Sequence, residues 1–125
     1  MKQYPGSIGY LNYGYVNGDK FQQVALQNKA GNFVKADAET SAAGLAQIVL
    51  DDKLRGADPN PAGANAYSIV SLTWILAYPE SKTGVKETLR YMLSEKAQAT
   101  SDSLGYVPLP ESLRQKALAA VSTIK

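Results

Sequence analysis

Ala66-Tyr67-Ser68-Ile69-Val70-Ser71-Leu72-Thr73-Trp74-Ile75-Leu76-Ala77-Tyr78 is the stretch on whose reading the fold depends. Ile69, Val70, Leu72, Thr73, Trp74, Ile75 and Tyr78 all favour a pleated, extended backbone. Asp58-Pro59-Asn60-Pro61-Ala62-Gly63 in front of it and Pro79 behind it are turn chemistry at both ends. Those flanking prolines and the β-branched residues argue against a buried helix. Strict apolar/polar alternation is absent, which predicts a strand covered on both faces, as in an α/β sheet.

Downstream, Thr83 or Ser81 is placed to cap a helix with the stripe Val85, Leu89, Met92, Leu93 and Ala97. Glu87 and Arg90, three apart, are spaced to pair on its surface. Leu104-Gly105 is its expected stop, and Tyr106-Val107-Pro108-Leu109-Pro110 is an extended connector. Pro110 suits the first helical position, with Glu111 beside it. Leu113, Ala117, Leu118, Val121 and Ile124 give the last helix its apolar side.

Upstream, Asp37 is an N-cap, Glu39 sits in a first turn, and Gly56 lies past the expected helix end. Ala38, Ala42, Leu45, Ala46, Val49 and Leu50 form one stripe between them, with small residues permitting close approach to a sheet. Val24–Gln27 and Asn32–Lys35 flank Asn28-Lys29-Ala30-Gly31, a pattern for a β-hairpin with Gly31 at positive φ. Ser7–Tyr15 reads as a short strand entering a turn. Its tyrosines, with Tyr4, are Tyr10, Tyr13 and Tyr15; no Lys or Arg interleaves them, so packing is expected rather than base stacking.

The chain has 125 residues, 13 basic and 11 acidic, for a net charge of +2. That is ordinary surface charge and no footprint of nucleic-acid binding. Cysteine and histidine are both absent, which removes disulfides, thiolate chemistry, the commonest general base and the commonest metal ligand. No segment reaches the roughly 20 apolar residues of a membrane span. Met1-Lys2-Gln3-Tyr4-Pro5-Gly6 has no hydrophobic core of a secretory signal, and its abrupt run into Ser7-Ile8 reads as the middle of a larger protein. Ser122-Thr123-Ile124-Lys125 has serine–lysine spacing without companion motifs. Gly6-Ser7-Ile8-Gly9 lacks the second half of a phosphate loop. Adjacent Asp51 and Asp52 point about 100° apart on a helix and cannot converge on one substrate. The residues therefore nominate no catalytic group, no cofactor and no metal site. The expectation is a non-enzyme.

Four pieces in order resemble one family: Pro5-Gly6-Ser7-Ile8-Gly9-Tyr10; Leu26-Gln27-Asn28-Lys29-Ala30-Gly31-Asn32-Phe33-Val34; Ala66-Tyr67-Ser68-Ile69 running to Thr73-Trp74-Ile75-Leu76; and Leu104-Gly105-Tyr106-Val107-Pro108-Leu109-Pro110. Together they resemble the C-terminal portion of the phosphate-binding proteins of bacterial phosphate ABC transporters, the PstS type. The resemblance implies an α/β, two-lobed, type II periplasmic-binding-protein fold. Residues 1–65 would belong to the second lobe, 66–80 would be a hinge and return strand, and 81–125 would supply two helices of the first lobe. Packing as one compact unit is the other arrangement.

It further implies a parent that captures inorganic phosphate outside the cytoplasmic membrane and passes it to an ABC permease. The family grips phosphate with a Gly/Ser/Thr-rich loop, first-lobe side chains and an Arg-x-Asp-x-Ser-Gly-Thr/Ser stretch. None occurs in this chain, so no phosphate-binding residue is carried over and weak or absent binding is expected. Any site would have to be built from Ser7, Ser71, Thr73 and the arginines. Ser68 stands where the family tends to have proline. Exposed strand edges imply a homo-oligomer, domain swapping, or a missing N-terminal part as partner. The alternative reading is a self-standing or engineered structural or interaction module without transport.

Overall fold

The computed structural model describes residues 4–16 and 21–125; the terminus Met1-Lys2-Gln3 lies outside them. The hairpin expected around Gly31 is present. Strand β1, Leu26–Gln27, pairs antiparallel with β2, Phe33–Val34, setting Leu26 opposite Val34. Gly31 sits at φ +88°, a region that side chains with a Cβ avoid, and its N–H closes the turn on the Asn28 carbonyl at 2.9 Å. The arms are two residues each.

Helix α1 spans Ala38–Leu45. Asp37 caps it as read: its carboxylate accepts the Thr40 N–H at 2.7 Å, and the Thr40 hydroxyl accepts the Asp37 N–H at 3.1 Å. The helix stops at Leu45 rather than running toward Gly56. The reason lies in Ile48-Val49-Leu50, whose side chains alternate: Ile48 and Leu50 are buried and Val49 is 82% exposed. An extended backbone buries both of the first pair on one side, and tertiary burial outweighs the weak helical preference of that run. A turn follows, in which the Asp51 carboxylate accepts the N–H groups of Lys53 and Arg55. Gly56 therefore ends no helix; it lies against the Val49 carbonyl.

The stretch 66–78 is extended but carries no ladder, a correction to the strand predicted for it. Val70 and Leu72 pack on the core of Leu45, Ile48, Leu50 and Leu113. Ile69, Ile75, Leu76 and Tyr78 face outward, with Leu76 97% exposed. One face is covered, not two. Strand pairing is non-local, and the two-stranded hairpin lies elsewhere, so among the described residues no neighbour offers this segment an edge.

Helix α2, Val85–Met92, starts after Gly84 at φ +93° with no side-chain cap. Ser81, one of the two caps expected, instead donates to the Tyr78 carbonyl. The helix does not continue to Leu104. Ser94 accepts the Ala97 N–H with its hydroxyl and starts a separate helix α3, Glu95–Gln98. Serine in this role competes with the helical ladder and breaks the run. A 3-10 turn at Asp102–Leu104 then ends on Gly105 at φ +80°, the stop that was read. No ion pair joins Glu87 to Arg90 among the described residues.

Helix α4, Glu111–Ser122, follows Pro110, which occupies the capping position rather than the first helical one. Leu113, Val121 and Ile124 are buried as the stripe requires. Helices α2 and α4 pack together, and the Lys86 ammonium donates to the carbonyls of Ser122 and Ile124 at the end of α4.

The N-terminal stretch corrects two expectations. Its backbone makes no ladder among the described residues and ends in a 3-10 turn at Tyr13–Tyr15, and of its four tyrosines only Tyr13 is half-buried. Tyr4, Tyr10 and Tyr15 are exposed. No helix among the described residues is long and apolar enough to cross a membrane.

Candidate functional site

The side chain with the most consequential bonds is Asn28, in the hairpin turn and only 5% exposed. Its amide nitrogen donates toward the carbonyls of Gly63, Ala64 and Ala66 at 3.2, 2.8 and 3.3 Å. Its amide oxygen accepts the Asn32 N–H at 3.0 Å, and the Asn32 amide donates to Ala64 at 2.9 Å. Two N–H groups thus serve three oxygens that a folded loop has turned inward. The loop before the extended segment is clamped to the hairpin. The Tyr67 N–H then bonds the Thr40 carbonyl of α1 at 3.0 Å, and Gly44 leaves room for the Tyr67 carbonyl.

Further along, the Trp74 indole N–H donates to the Leu54 carbonyl at 2.7 Å, and the Lys125 N–H closes on Pro79 at 2.9 Å. Between these fixed points no backbone N–H from Ser68 to Tyr78 reaches a backbone carbonyl among the described residues. The segment is held by its ends and by one indole. Its outer edge is bare. The Ser68 hydroxyl is buried without a hydrogen-bond partner. Ser68→Ala removes that uncompensated group and is expected to stabilise the chain by about 1 kcal/mol, read as a higher urea midpoint.

Two of the three arginines, Arg55 and Arg114, are occupied by carboxylates. Arg114, 8% exposed, gives its guanidinium to Glu111 at 2.7 Å, to Glu95 at 3.4 Å and to the Leu93 carbonyl at 3.1 Å. Arg55 pairs with Asp51 at 2.7 Å. Hydrogen bonds from Gln115 and then Arg114 hold the Glu111 carboxyl below its ordinary value, and bonds from the Arg55 side chain and backbone do the same for Asp51. A carboxylate with a lowered folded pKa lends stability above its unfolded pKa, and loses it as pH falls through the folded value. Stability is therefore expected to decline below about pH 4.5, and Glu111→Gln is expected to flatten that decline in urea midpoints measured across pH.

None of this forms an oxyanion cradle. Ser71 and Thr73 are exposed on the bare segment, and the Ser71 hydroxyl donates to the Leu72 carbonyl. Ser7 lies on the N-terminal stretch, its N–H on the Tyr4 carbonyl. Arg90 is exposed on α2. Asp51 and Asp52 build no acid pair, since Asp51 is spent on the turn. Ser122 donates to the Ala119 carbonyl, so its spacing to Lys125 has no catalytic geometry. An open groove of about 610 Å³ between α1 and residues 108–110 is walled by alanines, two prolines and Leu109, with Glu39 its one charge. Those side chains offer an anion no donor. No group of three acidic residues is placed to hold a metal among the described residues.

No protein-family model matches the chain. Individual proteins do. The phosphate-binding protein PstS of Methanocaldococcus jannaschii is 30% identical across all of this chain. That of Xylella fastidiosa strain Temecula1 is 33% identical over 90% of it, and that of Haemophilus influenzae 28% over all of it. The chain is PstS-like. It spans 36%, 33% and 37% of those three relatives, about a third of their length. Its helices and small sheet are compatible with the α/β periplasmic-binding-protein fold that PstS similarity implies. Asn28 and Asn32, within one of the stretches that resemble the family, hold the loop to the hairpin. The sequence pattern put Asn28 in the turn and Asn32 at the start of the second arm but gave no sign of the clamp, because its carbonyl partners lie 32 to 38 residues away.

Proposed function

We propose that this chain is the C-terminal segment of a phosphate-binding protein that serves phosphate uptake through an ABC transporter, and that by itself it binds phosphate weakly or not at all. Similarity to PstS along the whole chain supports the first part. The second is supported by the commitment of Arg55 and Arg114 to carboxylates and by the scatter of Ser7, Ser71 and Thr73. Phosphate capture needs converging N–H groups, hydroxyls and a guanidinium with no carboxylate already on it.

In this reading residues 1–65 belong to one lobe, 66–80 pass through the hinge, and 81–125 pack on the other lobe. The whole protein works outside the cytoplasmic membrane, takes inorganic phosphate as ligand and a permease as partner, and catalyses no reaction. Calorimetric titration of the chain with inorganic phosphate is expected to give no saturable heat up to about 1 mM, the limit of about −4 kcal/mol in binding free energy. A one-to-one isotherm in the micromolar range contradicts the second part.

A further inference from the structure

Among the described residues, Leu54 alone has a positive φ without being a glycine, at +58°. That conformation is unfavourable for a residue with a Cβ and persists only where its surroundings hold it. The Asp51 carboxylate does the holding. One of its oxygens accepts the Lys53 and Arg55 N–H groups at 2.9 and 2.8 Å, and the other takes the Arg55 guanidinium at 2.7 Å. The Asp51 backbone closes the same turn, its N–H on the Arg55 carbonyl at 2.9 Å and its carbonyl on the Leu54 N–H at 3.0 Å.

The N–H and C=O of a trans peptide point opposite ways. Drawing the Arg55 N–H onto Asp51 therefore turns the Leu54 carbonyl, on the same peptide unit, out of the turn. The Trp74 indole N–H meets it there at 2.7 Å. Residues 68–72 have the core to hold them, through Val70 and Leu72. Residues 73–78 do not: Ile75, Leu76 and Tyr78 are exposed. Their one other hydrogen bond among the described residues is local, from the Ser81 hydroxyl to the Tyr78 carbonyl.

We infer that Asp51 is a positioning residue for Trp74: by aiming the Leu54 carbonyl, its carboxylate latches residues 73–78 to the turn, and its removal frees them while the core stays folded. The consequence for function rests on the reading proposed above. With 66–80 as the hinge, the latch limits how far the hinge swings from the lobe of residues 1–65.

The test is hydrogen exchange of the Trp74 indole N–H, followed by NMR in the 125-residue chain without phosphate, with the amides of α4 reporting on overall folding. Asp51→Ala is expected to speed indole exchange about 10-fold and to leave the α4 amides within about twofold of the parent. Asp52→Ala removes a neighbouring carboxylate that accepts none of these bonds and is expected to change neither. Arg55→Met keeps both backbone N–H groups on Asp51 and is expected to speed indole exchange less than about threefold. Four results overturn the inference: unchanged indole exchange in Asp51→Ala, α4 amides accelerated by the same factor as the indole, an Asp51→Ala chain that no longer folds, or equal acceleration in Asp52→Ala or Arg55→Met. Each leaves the PstS-like reading standing, since phosphate takes no part in the measurement.

Discussion

Asn28→Asp is expected to remove about 4 kcal/mol of stability, a large share of the roughly 5–15 kcal/mol that a domain holds. The substitution keeps the shape and replaces a donor by a carboxylate. Three carbonyl oxygens within 3.3 Å would then face a negative oxygen instead of an N–H. The site is 5% exposed, so water cannot take over the carbonyls without opening the loop. Asn28→Ala leaves the same carbonyls unserved without adding repulsion and is expected to cost about 3 kcal/mol. Urea unfolding followed by Trp74 fluorescence measures both, since this is the sole tryptophan and it bonds the Leu54 turn. An Asn28→Asp chain that unfolds at the parent's midpoint would show that the clamp contributes nothing.

Gly44→Val is expected to cost about 3 kcal/mol and to detach the start of the extended segment from α1. A Cβ at Gly44 runs into the Tyr67 carbonyl oxygen and comes within 3.2 and 3.4 Å of the Val70 methyls. The obstacle is backbone, and the Tyr67 N–H is already fixed on Thr40, so it cannot swing aside as a long side chain would. Gly44→Ala meets the same oxygen but regains about 1 kcal/mol of helix preference, so it should fall between parent and Val. Ala43→Gly, next to it in the same helix, serves as control: it should lose about 1 kcal/mol from propensity alone. If Gly44→Val is no worse than this control, close approach of α1 to residue 67 is not what the glycine is for.

The features read correctly from sequence are those fixed within a few residues. Asp37 with Thr40, Gly31 in its turn, Gly105 at its stop and the stripe of α4 each need only local neighbours. The end of α1 could not be read this way. Val49 and Leu50 fit a helical stripe, and only contact with Leu45 and Leu113 selects the extended form that buries Ile48 and Leu50 together. Ser94 looked like one more residue of a long helix, but its hydroxyl serves the Ala97 N–H better than a continuous ladder would use the position. The extended nature of 66–78 was legible; its missing ladder was not, because pairing depends on which other strands are present. That the Arg-x-Asp-x-Ser-Gly pattern is missing was legible from sequence. Where the remaining arginines point was not, since the pairing of Arg114 with Glu95 spans 19 residues.

In the function proposed above, these residues support an oxyanion pocket and supply no grip of their own. Amide shift mapping of the 125-residue chain during titration with inorganic phosphate tests it most directly. The expected result is small, non-saturating shifts spread over exposed lysines and arginines, screened by added salt. Saturable shifts converging on Ser71, Thr73 and one arginine, unchanged by salt, would contradict it.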